Sequence, residues 1–186
     1  YYTVTHNEKA LTIAKKMADC IDNHFGTEAG KIPGIPGHPE IELALARLYE
    51  VTHEQKYLDL APYFIKQRGK DPEVCNKQNN FADKPVTEQT DAHGHAVRVL
   101  YFCTGLAHVA RLTNDQELMD AANRLWKDIV KKQLYITGNV GQTTTGEAFT
   151  YDYDLPNDTD YGETCASVAM VFFAKQMLTT HMNGQY

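Results

Sequence analysis

The chain is 186 residues long, 42% hydrophobic and 23% charged, with a net charge of −6, the profile of one globular domain or part of one. Its lysines and arginines are scattered along helical stretches, which argues against a nucleic-acid partner. No apolar run approaches the ~20 residues needed to span a bilayer, so no membrane partner is expected.

In chain order, Tyr1 opens in mid-pattern with no initiator Met, so the chain is expected to be truncated at both ends, with any signal peptide out of view. A motif then recurs: Thr5-His-Asn-Glu-Lys-Ala-Leu11 leading to Ala14, Thr52-His-Glu-Gln-Lys-Tyr-Leu58 leading to Ala61, and Thr113-Asn-Asp-Gln-Glu-Leu-Met119 leading to Ala122. A fourth copy begins near Thr180. Helices over 7–24, 54–68 and 115–133 follow the three copies, each with one apolar stripe such as Leu118, Ala122, Leu125 and Ile129, and polar residues opposite. Trp126 lies on such a stripe and reads as core.

Between them come helices over 39–51, 91–112 and 161–178, apolar nearly all round. Their start signals are Pro39 with Glu40, Thr90-Asp91, and Asp160. Alternating half-exposed outer and buried inner helices in repeated pairs indicate an all-α α/α toroid. The segment 134–157, with Tyr135-Ile136-Thr137, turns at Gly138 and Gly141, and Phe149-Thr150-Tyr151, reads as a β-hairpin or long ordered loop.

The four cysteines, at 20, 75, 103 and 165, form no CxxC pair. That usage points to a reducing compartment and a cytoplasmic setting. Cys20, Cys75 and Cys103 read as structural or incidental.

In an up-down array alternate helices run the same way, so the three inner helices have their N-termini at one end. His38 precedes the first, His95 lies at the start of the second, and Glu163 and Cys165 lie in the first turn of the third. The segment carrying Glu147 feeds into the same end, where helix N-termini favour anions and thiolates. Singly, each group has a plain alternative. His38 can cap its helix, and His93 or His95 can be a satisfied structural histidine. These two stand two apart and cannot chelate one metal as an i, i+4 pair would. Cys165 can be a small buried hydrophobe and Glu163 a first-turn acid. Glu147, between Gly146 and Ala148, has no capping role. A carboxylate and a thiol as close as Glu163 and Cys165 can bind a thiophilic metal, and a second carboxylate nearby can move a proton.

The segments PGHPEIELALARLYEVT, EQTDAHGHAVRVLYF, LYITGNVG, GEAF, YDLPN and YGETCAS, in this order, resemble the glycoside hydrolase family 127 β-L-arabinofuranosidases and the related family 146. The resemblance covers essentially the whole chain. It implies an (α/α)6 barrel catalytic domain, of which residues 1–186 are a single incomplete portion, followed by β-sandwich domains. It also implies a retaining glycosidase whose zinc is held by one Glu and three Cys, one Cys being the nucleophile. Matched by motif, Glu147 corresponds to the general acid/base, Glu163 and Cys165 to two zinc ligands, and His38 and His95 to sugar-contacting histidines. The family's remaining two cysteines form a downstream Cys-Cys pair that this chain does not contain.

The implied partner is an L-arabinofuranoside-type oligosaccharide or glycoconjugate. The isolated 186 residues are expected to be inactive, to hold zinc weakly or not at all, and to form a homo-oligomer through the open side of the barrel, where Leu43, Val99 and Phe172 are expected. Two rivals remain at this point. One is a non-hydrolytic toroid sugar enzyme of the epimerase kind, which would favour paired histidines. The other is a non-catalytic helical-repeat interaction module, which would bring no Glu, His and Cys together.

Overall fold

The computed structural model describes residues 1–70 and 77–186; Cys75 lies outside them. Their helices are α1 (Tyr2–Thr5), α2 (Glu8–His24), α3 (Ile41–Thr52), α4 (Gln55–Gln67), α5 (Ala96–Thr113), α6 (Gln116–Asp128) and α7 (Thr164–His181). A π-helical turn, Ile129–Gln133, extends α6.

The repeated Thr motif builds one turn three times. His6, His53 and Asn114 adopt left-handed backbone, with φ of 53°, 58° and 54°, and so end a helix. The next residue, Asn7, Glu54 or Asp115, is the N-cap of the following helix. Asn7 and Asp115 accept the backbone N–H of Ala10 and Leu118. The threonine joins the two sides: Thr5 and Thr52 donate to the carbonyl four residues back and accept the N–H two residues on. Near the fourth copy Met182 is left-handed too, with φ 48°.

These turns make antiparallel hairpins. Arg68 at the end of α4 meets Glu42 at the start of α3, 3.8 Å away. Asp128 at the end of α6 accepts the N–H of Ala92, ahead of α5. The inner helices α3 and α5 run in the same direction, since Glu42 lies against Gly105, and Glu50 against His108 and Arg111. A Cβ on Gly105 would stand 3.0 Å from that of Glu42, so glycine sets how closely the two helices approach. Helix α5 is buried all round, through Val99, Leu100, Cys103, Leu106 and Val109, and α7 packs along it with Tyr101 against Phe172. Trp126 is core, its ring edge-on to Phe173.

The two ends of the array differ. At one end two-residue turns join α1 to α2, α3 to α4 and α5 to α6; at the other, the connections from α2 to α3, from α4 to α5 and from the π-helical turn to α7 are long. Arg68, 1% exposed, ties the second of these down. It donates to the carbonyls of Asn80 and Pro36 and lies over the Phe102 ring.

Three expectations need correction. The β-hairpin over 134–157 is not formed: among the described residues the segment makes only isolated bridges, Ala148 with Thr143 and with His95. Gly138, Gly141, Gly146, Glu147 and Tyr153 all have positive φ, so the chain turns too often for a ladder. The second inner helix starts at Ala96, not 91, so His93 and His95 precede it. Val99, expected on the open flank, is fully buried; Phe172, expected there too, is exposed on an apolar face of α7 with Val168, Val171 and Leu178.

Candidate active site

His38 ends the Pro-Gly loop ahead of α3. Its Nδ1 is 3.2 Å from Glu40, and its ring meets Tyr101 edge-on. Burial holds its pKa below the usual histidine value, against the pull of Glu40.

His95 is the N-cap of α5. The preceding Gly94 has φ +81°, and a Cβ there would fall 2.3 Å from the Gln78 carbonyl oxygen, so only glycine fits. The carbonyl of Gly94 accepts the N–H of Phe149, which docks the loop carrying Glu147 onto the turn carrying His95. That loop is closed by reciprocal backbone bonds between Thr143 and Ala148.

Within it Gly146 and Glu147 are both left-handed, with φ of 72° and 51°. A left-handed non-glycine residue costs roughly 1–2 kcal/mol and persists where the surroundings enforce it. The conformation aims Glu147 at two partners: Oε2 is 2.9 Å from His95 Nε2, and Oε1 accepts the Tyr161 hydroxyl at 2.8 Å. The Tyr161 bond above all, with His95 and the positive charge of Arg98, draws the Glu147 pKa below its usual value.

Glu163 is the N-cap of α7, and Cys165 is exposed in its first turn. The Glu163 carboxylate beside it pushes the Cys165 pKa up. Among the described residues Glu163 Oε2 is buried without a hydrogen-bond partner, as is His95 Nδ1. His95, Glu147, Glu163 and Cys165 thus meet at one end of the inner helices. His38 stands at the same end, its ring against Tyr101 of α5.

Three residues in this group were not singled out in the sequence. Tyr161 stands two before Glu163, inside YGETC. Arg98 follows His95 by one helical turn, and a search at i, i+3 would have found it. Tyr101 faces His38 from the second turn of α5. Of the remaining cysteines, Cys103 is buried with its thiol pushed up, and Cys20 is exposed on α2.

The site can hold a carboxylate in one orientation and pass a proton along the His95–Glu147–Tyr161 contacts. Among the described residues no three His, Cys, Asp or Glu side chains form a ready metal cluster. Glu163 and Cys165, with the unpartnered Glu163 oxygen, fit as half of a four-donor zinc set.

The sequence model of the GH127 β-L-arabinofuranosidase catalytic domain matches residues 1–186. A non-reducing end β-L-arabinofuranosidase of Bifidobacterium longum subsp. longum is 56% identical over 205 residues, covering 100% of this chain and 31% of that protein. The crystal structure of a GH127 β-L-arabinofuranosidase from Geobacillus stearothermophilus T6 superposes with a TM-score of 0.96 at 45% identity, over 100% of this chain and 32% of the other. A further GH127 β-arabinofuranosidase gives 0.93 at 39%, over 98% and 28%. The chain spans about a third of the length of these relatives.

Proposed function

The chain belongs to the GH127 family of β-L-arabinofuranosidase catalytic domains, and its helical hairpins are a portion of an (α/α)6 toroid; from this we propose that the protein carrying it releases L-arabinofuranose from the non-reducing end of β-L-arabinofuranosides. Residues 1–186 then form part of a single catalytic barrel. The substrate is an oligosaccharide or glycoconjugate, and the setting is the cytoplasm. The observation that supports this reading most directly, beside the family match, is the Glu147 carboxylate held between His95 and Tyr161 where the inner helices begin.

In this proposal Glu147 is the general acid/base. It protonates the leaving oxygen in the first step and takes a proton from water in the second, as in a retaining glycosidase. In the free protein its pKa is drawn down. A sugar seated over it excludes water and favours the neutral acid, and the His95 contact is a route for the proton. His38 and His95 contact sugar hydroxyls. The nucleophile is a cysteine outside these residues. Glu163 and Cys165 hold zinc together with donors from outside, and zinc when bound supplies the positive charge that keeps thiolates ionised.

The test uses the full-length protein. It should hydrolyse β-L-arabinofuranosides with retention, read by NMR of the first-formed anomer. Glu147→Gln should lose about 100-fold or more on substrates with poor leaving groups and much less on activated aryl glycosides in the first step. Near-parental turnover of both substrate types by Glu147→Gln would remove Glu147 from the role.

A further inference from the structure

We infer that Tyr161 is a positioning residue for the acid/base, its hydroxyl clamping the Glu147 carboxylate against His95 in the orientation from which the proton is delivered. The inference rests on the reading of Glu147 just given.

Both oxygens of the carboxylate are engaged, Oε1 by Tyr161 at 2.8 Å and Oε2 by His95 at 2.9 Å. The Glu147 side chain is 45% exposed, so packing alone does not fix its rotamer; the two contacts do.

The support of the phenol is rigid. Tyr161 N–H donates to the Gln142 carbonyl and Gly162 N–H to that of Gly141, both at 3.2 Å. Gly162 is left-handed, and a Cβ there would fall 2.5 Å from Asn139 Nδ2 and 2.8 Å from Asp160 Oδ2, so the turn beneath Tyr161 favours glycine. Gln142 is buried, bonded through its side chain to Gln133, and its Oε1 accepts the N–H of Thr150 at the end of the Glu147 loop. One buried residue therefore carries both the phenol and the loop of the carboxylate, and the distance between them is set before any substrate arrives.

The titratable and charged groups that bear on Glu147 are His95, Arg98 and Tyr161, and more weakly Cys165. The phenol stabilises the ionised carboxylate. Removing it raises the Glu147 pKa, so the protonated acid persists to higher pH.

The experiment is Tyr161→Phe in the full-length protein. On substrates with poor leaving groups kcat/KM should fall about ten- to a hundredfold, the range for a lost hydrogen bond to a charged group. Activated aryl glycosides should be nearly unaffected. The alkaline limb of the kcat/KM profile should move to higher pH. In a Glu147→Gln background the same substitution should cost nothing further. An equal loss in both backgrounds, or an unmoved leaving-group dependence and alkaline limb, overturns the role of Tyr161 alone. Near-parental turnover of poor substrates by Glu147→Gln overturns the acid/base reading, and this proposal with it.

Discussion

Glu147 stood out in the sequence because GEAF leaves it neither a cap nor a stripe to serve. Its left-handed backbone did not, since loop packing on Gly94 and Ala148 creates it. For the same reason Tyr161 passed as one aromatic among several. His108 shows what burial alone does to a titratable group. It is 2% exposed, at the opposite end of α5 from the site, with Nε2 3.0 Å from Glu50. Burial lowers its pKa; Glu50 opposes that, while Arg111 and Arg47 add to it. A histidine kept neutral by folding gives its full stability above its unfolded pKa. That contribution is lost as pH falls from about 6.5 towards the folded value, because the unfolded chain takes up the proton first. His108→Leu should therefore flatten the fall in melting temperature between about pH 6.5 and pH 5. An equally steep fall in the variant would show that His108 does not control it.

The helix-ending turn is the element the sequence announces most clearly. Residues that tolerate left-handed backbone or cap helices recur in it at fixed offsets, so period and chemistry point the same way. The segment 134–157 misled because Tyr135-Ile136-Thr137 has strand composition, yet Ile136 is fully exposed and the glycines that follow leave no length to pair. The start of α5 was misplaced because Thr90-Asp91 resembles a cap, whereas Gly94 reverses the chain once more before the helix begins. The turn makes a quantitative prediction. Asp115→Ala removes the acceptor for Leu118 N–H and should cost about 1 kcal/mol. Asn114→Val places a β-branched residue at φ 54° and should cost roughly 1–2 kcal/mol. Urea midpoints at unchanged slope would measure both. A neutral Asn114→Val would mean that the turn relaxes out of the left-handed region.

On the scale of the whole molecule, the alternation of half-exposed and buried helices was legible because each kind has its own apolar pattern; which flank stays open was not, because that depends on neighbours. The outer face of α7 presents Val168, Val171, Phe172 and Leu178. On the other side a cavity of about 480 Å³ runs between α2 and α3, lined by Leu11, Met17, Ile41 and Leu48 among others. The 186 residues alone should therefore self-associate, read as mass in solution, and should bind less than one zinc per chain, since two donors do not make a stable site. A monomer with one zinc per chain and arabinofuranosidase turnover would place the donors elsewhere. The unequal ends of the array also bear on how such a chain changes over generations. The short turns admit hardly any insertion without shifting the register of a hairpin, whereas the long connections around the carboxylate can gain or lose residues and leave the stacking untouched. Variation in length is channelled to the end that carries Glu147, so the surroundings of that carboxylate can change while the helices stack as before.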